Sequence, residues 1–416
     1  MKLTYIFCLL LFISFTATAQ EDTTAKRRVS LIDLLPENHH IDMQNSPYYN
    51  FGKGVGITSP DSLFQLNIRF RMQNRLELLH NESNENLINA AIRRLRLRFD
   101  GYVGSTKFPY VIQLSFSPED VGELEEGRNL NVIRDAIVYY QPNEKWSFGF
   151  GQTKLPGNRQ RVNSSGALQL TDRSINNAFF NIDRDFGFQG HYLSKMSGDF
   201  QYNLRGAVTT GEGRNWTNSK NGGLAYTGRT ELFPLGRFTN GGEFFEGDIA
   251  RESTPKIMVG ATYHYNDDAT RNRGQQGSEL YESRNLQSFF FDAIGKYNGW
   301  ALMYAFMNRQ TNDPVTRSAS DASLYKYVNV GNGQDIQGSY IFKKDWELIG
   351  RYSTQTPDKN IFEFQPKQKQ YTLGVTKYIW EHAFKIQTEF SFNQFQHFNN
   401  TNTQSWYWRF QIEMGI

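Results

Sequence analysis

Arginines recur on one face of an alternating stretch in two places near the start of the chain. Arg94, Arg96 and Arg98 alternate with Leu95, Leu97 and Phe99. Upstream, Arg69, Arg71 and Arg75 share one face, opposite Phe64, Leu66, Ile68, Phe70 and Met72. Alternate side chains of a strand share a face, so successive guanidiniums of such a row lie about 6.6 Å apart. A third group of cations belongs to a stretch with no strand pattern: Arg159, Arg161 and Arg173 lie along it, Lys154 just before it and Arg184 at its end. A guanidinium fork donates two parallel hydrogen bonds and fits phosphate or carboxylate. Rows of such groups pass an anion between several weak sites, which conducts better than one tight site. The chemistry these residues can do is therefore non-covalent anion binding and transfer. A plainer role exists beside it, because Glu77, Asp100, Glu231, Asp292, Glu347, Glu389 and Glu413 fall on the same faces and can simply pair with arginines.

The elements that must position these cations are strands. After about residue 60 the chain breaks into about sixteen stretches of alternating apolar and polar residues, joined in turn by long and short links. The last is the clearest: Trp406, Trp408, Phe410, Ile412, Met414 and Ile416 are apolar, while Tyr407, Arg409, Gln411 and Glu413 take the other face. The first two strands are expected near 64–78 and 90–103. The others are expected near 108–117, 131–141, 145–154, 184–193, 199–210, 223–234, 255–266, 287–297, 299–309, 333–343, 345–354, 368–379, 382–393 and 404–416. Short links such as Asn298-Gly299, Lys343-Lys344-Asp345 and Trp380-Glu381 fit tight hairpins. Long links near 79–89, 118–130, 155–183, 211–222, 267–286, 310–332, 355–367 and 394–403 are rich in Asn, Gly, Asp, Ser and Thr. One link breaks the rhythm: 235–254 is long and acidic although it falls on the short side.

This pattern predicts an all-β, antiparallel transmembrane β-barrel of about sixteen strands, with short periplasmic turns and longer external loops. An arginine facing mid-bilayer lipid costs about 2–4 kcal/mol, so rows of them must face the lumen. Sixteen strands enclose an aqueous channel. The longest link, 155–183, is the third external loop and is expected to fold inward and narrow the pore. An even strand number puts both ends of the barrel on the periplasmic side.

Composition agrees. Lys2 followed by the apolar run Leu3 to Phe15 and Ala17-Thr18-Ala19 reads as a secretory signal over 1–19. Residues 20–60 then form a periplasmic lead-in and 61–416 the barrel. The single cysteine, Cys8, lies in the signal, so the mature chain has neither disulfides nor thiol chemistry. Mean hydropathy is −0.60, which a barrel tolerates because only alternate residues meet lipid. Aromatic residues make up 15% of the chain, enough for girdles at both membrane interfaces. A net charge of +3 argues against a nucleic-acid surface.

Other motifs read as structure. The run Phe51-Gly52-Lys53-Gly54-Val55-Gly56 lacks the lysine-serine pair, strand and helix of a phosphate loop. His39-His40 has no third ligand at metal spacing, and the other histidines are scattered. No serine sits in a nucleophile elbow, so a membrane-embedded lipase triad has no sequence support. Asp267-Asp268 and Glu119-Asp120 lack the spacing of a calcium loop and read as solvated surface charge.

Four segments give the chain a family likeness. They are Phe51-Gly52-Lys53-Gly54 through Gln65-Leu66-Asn67-Ile68-Arg69; Arg93-Arg94-Leu95-Arg96-Leu97-Arg98-Phe99-Asp100-Gly101; Gly151-Gln152-Thr153-Lys154-Leu155-Pro156; and Gly350-Arg351-Tyr352-Ser353 with Leu373-Gly374-Val375-Thr376 and Phe384-Lys385-Ile386-Gln387. In this order they resemble the phosphate-selective porin O/P family, in the form common among Bacteroidetes, over most of 50–416. The resemblance implies a 16-stranded outer-membrane barrel, a homotrimer, an inward third loop and arginines lining the channel. The family name implies phosphate. Lys154, Arg159, Arg161 and the arginines of the first two strands match the family's cationic positions by place in the pattern.

The expectation is thus an outer-membrane porin of a Gram-negative bacterium that passively conducts small anions, phosphate or other oxyanions, without covalent chemistry, cofactor or metal. Its pathway residues would be Arg69, Arg71, Arg75, Arg94, Arg96, Arg98, Lys154, Arg159 and Arg161. Outer-membrane lipid and lipopolysaccharide would be its other partners. A general or organic-acid diffusion porin, and a structural or receptor barrel acting through its external loops, are the alternatives.

Overall fold

The computed structural model describes residues 54–83, 85–122, 131–194, 199–215 and 222–416. The expected signal, most of the lead-in, His39-His40 and Phe51 to Lys53 lie outside these residues.

Sixteen strands form one antiparallel sheet that closes on itself. They are β1 (Phe64–His80), β2 (Asn86–Val103), β3 (Ser105–Ser115), β4 (Ile133–Tyr140), β5 (Trp146–Lys154) and β6 (Arg184–Leu193). There follow β7 (Gln201–Thr209), β8 (Ala225–Phe233), β9 (Lys256–Arg271), β10 (Glu279–Tyr297) and β11 (Trp300–Gln310). The last are β12 (Gly331–Ile341), β13 (Trp346–Pro357), β14 (Lys367–Trp380), β15 (Phe384–Gln396) and β16 (Asn402–Gly415). Each strand pairs with its sequence neighbours, and β16 returns to β1 with Met414 opposite Met72 and Trp406 opposite His80. Closure leaves no unpaired edge, which a sheet in hydrocarbon requires.

The alternation in the sequence is the inside–outside alternation of the wall. Phe148, Phe188, Leu302 and Leu373 stand exposed on the outer face, while Arg69, Gln73, Gln411 and Glu413 are buried within. Trp146, Tyr192 and Tyr202 follow one another in tilted ring contact beside the short turns, and Trp300, Tyr340 and Phe342 in tilted and edge-on contact. These are the amphipathic rings expected at a membrane interface. The Asn298-Gly299 hairpin joins Tyr297 to Trp300 with both turn residues at positive φ, 47° and 89°. That geometry is the reason for the Asn-Gly pair.

The loops differ from expectation in extent. β9 and β10 continue as a paired ribbon to Arg271 and Glu279, so most of 267–286 is strand and only its tip is a turn. Within 310–332, Val315–Arg317 and Tyr325–Tyr327 make a small separate hairpin. At the lead-in's end, Val55–Thr58 pairs with β1. There Gly54, at φ +65°, lies so close to the backbone that a Cβ would stand 2.2 Å from the Ile68 carbonyl oxygen. Gly54 therefore serves close backbone approach.

The lumen is not uniformly polar. Leu155, Phe180, Ile182, Phe290, Met307, Val330 and Ile361 form a buried apolar cluster inside the barrel, against β10 and β11. A second cluster of Phe233, Phe238, Met258 and Ile294 lies where the link 234–255 meets the wall. Part of the interior is thus a packed core, where strand number alone leads one to expect open channel.

Candidate functional site

The third external loop, 155–183, crosses the lumen. Its root is fastened by Arg229, which donates to the Gly157 carbonyl at 2.9 Å, and by Asp292, which accepts from the Arg159 backbone at 3.1 Å. Its far point rests on the opposite wall. Lys385 Nζ donates to the carbonyls of Gly166 (2.8 Å) and Leu168 (2.6 Å), while Thr376 and Gln387 bond the Gln169 carbonyl at 2.6 and 2.8 Å. On the return, Ser174 caps the short helix Ile175–Phe180 and bonds Asp335 at 2.7 Å. Arg309 then donates to the carbonyls of Phe180 (2.7 Å) and Asn181 (3.0 Å). Irregular backbone at membrane depth must be satisfied by protein, and wall side chains do this here.

On one side of the loop is the apolar core. On the other is a narrow cavity with about 60 Å³ of free volume, whose lining among the described residues includes eight arginines, a lysine and one carboxylate side chain, Asp135. Arg69, Arg71, Arg96 and Arg98 come from β1 and β2, Arg134 from β4, Lys154 from β5 and Arg184 from β6. Arg161 and Arg173 come from the loop, with the hydroxyls of Ser164 and Ser165 between them.

Register explains the arrangement. Arg69 stands directly opposite Arg98, and Arg71 opposite Arg96. Like charges directly opposite destabilise a sheet unless compensated. Asp100 compensates the first pair, at 3.0 Å from Arg69 and 2.9 Å from Arg98. In the second pair Arg96 bonds Asp120 at 2.9 Å, and Arg71 reaches Ser165 at 2.5 Å with Glu413 at 3.7 Å. Arg134 shares Asp120 at 2.8 Å, and Arg184 bonds Asp135 at 2.9 Å. Arg161 pairs with Asp183. Lys154 donates to the Val162 and Asn163 carbonyls, and Arg173 to the Gln160 and Asn163 carbonyls. Buried N–H groups remain without a protein acceptor on Arg98 (Nη2), Arg134 (Nε) and Arg161 (Nε). Such donors favour an anion or water in the cavity.

Above this cavity Asp172 of the loop gathers Arg93 (3.0 Å), Arg94 (3.2 Å) and Arg75 (3.3 Å). Burial would raise the Asp172 pKa, but Arg93, Arg94 and Arg75 outweigh it and hold the carboxyl well below the usual carboxylate range.

The nine residues expected on the pathway therefore divide. Arg69, Arg71, Arg96, Arg98, Lys154 and Arg161 line one cavity. Arg75 and Arg94 are held by Asp172. Arg159 is buried on the other side of the loop, among Asp292, Glu231 and Glu243. Arg134, Arg173, Arg184, Ser164 and Ser165 join the cavity without having been assigned to it. Arg134 enters because of a bulge in β4: Gln113 pairs with Asp135 and Leu114 with Ile133, so Arg134 and Asp135 both turn inward. A second bulge, between Gln73–Arg94 and Asn74–Ile92, frees Arg93 to reach Asp172. Strict alternation cannot reveal either residue. Asp120 also differs from expectation. It is buried and bridges two arginines, not a solvated surface charge, while Glu119 remains half exposed and bonds Arg93 at 2.6 Å.

A closed 16-stranded barrel with aromatic belts, an inward third loop and a charged constriction defines an outer-membrane channel of the porin class. The family model for phosphate-selective porin O and P matches residues 64–235, the stretch holding β1 to β8 and the loop. Two solved porin structures share the fold. The outer-membrane channel DcaP of Acinetobacter baumannii is 12% identical, with TM-score 0.52 over 87% of this chain and all of that one. OmpF of Salmonella typhi, solved with daunomycin, is 12% identical, with TM-score 0.52 over 86% of this chain and all of that one. No curated protein matches the chain in sequence.

Proposed function

We propose that this outer-membrane channel passively conducts small anions, with phosphate and other oxyanions preferred, through the cavity between the inward loop and the wall of β1 to β6. The observation that carries this reading is the lining of eight arginines and a lysine against one aspartate. Pore-lining charge sets selectivity, and guanidinium forks suit tetrahedral oxyanions and carboxylates. Arg71 and Arg96 present the cationic wall, and Arg134, Lys154 and Arg184 continue it along the neighbouring strands. Arg161 and Arg173 face them from the loop. Salt bridges hold most of these side chains in place without removing the excess of positive charge. A homotrimer embedded in outer-membrane lipid and lipopolysaccharide fits this function and the family likeness.

The test is single-channel recording of purified protein in planar bilayers in KCl, with phosphate titrated in. Phosphate is expected to reduce chloride current in a saturable way. A current that ignores phosphate but responds to dicarboxylates would make this an organic-acid porin. No conductance at all would favour a structural or receptor barrel.

A further inference from the structure

The long acidic link between β8 and β9, residues 234–255, does not hang into the periplasm. It turns inward through a short 3-10 segment, Thr239–Phe244, and its carboxylates Glu243, Glu246, Asp248 and Glu252 are all buried. Lys296 Nζ donates to the carbonyls of Gly242 and Gly247, both at 2.7 Å. Asp248 accepts from the Gly299 backbone at 2.7 Å, and the Asn298 backbone donates to the Glu252 carbonyl at 2.9 Å. Arg251 reaches the Ile341 carbonyl at 2.5 Å. The link is therefore bolted to the β10–β11 hairpin and to β12.

Its free end meets the inward loop from beneath. The Glu246 backbone donates to the Ala167 carbonyl at 3.4 Å, and the Glu246 carboxylate accepts from the Gln169 backbone at 3.1 Å and from Gln337 at 3.2 Å. Gln169 is the loop residue seated against the far wall. Its amide nitrogen bonds Ser339 at 2.5 Å and its amide oxygen accepts from Gln337 at 2.6 Å. Next to Glu246, Phe245 stacks on His382 with ring centroids 4.8 Å apart, and His382 lines the cationic cavity.

We propose that this link is a fixed buttress of the constriction. Glu246 acts as its positioning residue, holding Gln169 and thereby the loop against the wall, so that the width and selectivity of the cavity depend on a residue no permeating ion touches. The buttress has to be buried and polar because the loop offers backbone groups where a porin usually has water. Its fastening to the periplasmic side explains why one link on the short-turn side is long. This inference extends the anion-channel reading but does not share its fate: the buttress is judged by the change in noise and permeability ratio from wild type to variant, the anion reading by the sign of wild-type selectivity.

The experiment records full-length Glu246→Ala, Glu246→Gln and Lys296→Met channels in planar bilayers beside the wild type, after gel mobility with and without heating confirms that each barrel is folded. Glu246→Ala and Lys296→Met are expected to raise open-channel noise and to change the anion-to-cation permeability ratio by about twofold or more. Glu246→Gln keeps an acceptor for the Gln169 N–H and is expected to behave as wild type. Wild-type noise and permeability ratio in Glu246→Ala and Lys296→Met would overturn the proposal.

Discussion

Arg71 of β1 stands directly across the ladder from Arg96 of β2, and both side chains reach Ser165 of the inward loop. An opposed arginine pair is unfavourable for a sheet, and its hydroxyl partner on the loop adds no charge to offset it. Asp120 compensates Arg96, whereas the carboxylate beside Arg71, that of Glu413, stands 3.7 Å away and is shared with Lys385, so Arg71 is the less compensated member of the pair. Replacing both residues by glutamine is expected to lower the anion-to-cation permeability ratio by roughly tenfold, the lower end of what focused charge confers. The reversal potential of the double variant in a salt gradient measures it.

Arg159 and Arg161 lie two residues apart but on opposite sides of the loop. Arg161 lines the cationic cavity, and Arg159 is buried among carboxylates on the far side. Arg161→Gln is expected to reduce anion selectivity. Arg159→Gln should leave selectivity unchanged and lower the stability of the barrel instead. Permeability ratios and denaturant midpoints of the two variants separate these effects. Equal loss of selectivity in both would contradict the assigned lane.

Lys385 satisfies two loop carbonyls, those of Gly166 and Leu168, from the wall opposite the loop's root. Lys385→Met leaves both without that donor, at a cost of roughly 1–3 kcal/mol each. The expected result is a looser loop, seen as a larger and noisier single-channel conductance in a barrel that still folds.

Asp172 binds three arginines, and their charges hold its carboxyl well below the ordinary range. A depressed carboxylate pKa contributes stability that is present above the ordinary value and lost only as pH falls through the depressed one. The clamp is thus expected to persist from pH 7 down to about 4, with no conductance change assignable to it. Asp172→Asn removes the clamp at every pH, taking the carboxylate from Arg75 and Arg94 while Arg93 keeps Glu119, and strengthening phosphate block. Conductance and block recorded against pH in both proteins test this.

Much of the molecule was legible in the sequence for physical reasons. Lipid penalises charge, so the period-2 pattern around Arg94, Arg96 and Arg98 had to mark the lumen face. Turn chemistry marked Asn298-Gly299. The absence of strand pattern marked the inward loop. What stayed hidden follows from the same physics. Arg93 and Arg134 sit at bulges, where one extra residue breaks the parity that alternation depends on. Whether Arg94 and Arg75 face an anion or Asp172 depends on where a loop residue 78 and 97 positions away comes to rest, which no local pattern encodes. The apolar core around Phe290 and Met307 was hidden because a residue facing a packed loop reads in sequence like any other strand residue. The link 234–255 stood out only by its length, and its burial depends on partners in β10, β11 and β12.

The most direct test of the central claim is the reversal potential of the purified wild-type protein in a planar bilayer under a KCl gradient. A lane lined by Arg71, Arg96, Arg134, Lys154, Arg161 and Arg184 predicts a potential of the sign set by chloride. A potential near zero or of the sign set by potassium would contradict it, and would mean that Asp100, Asp120, Asp135 and Asp183 offset these cations completely.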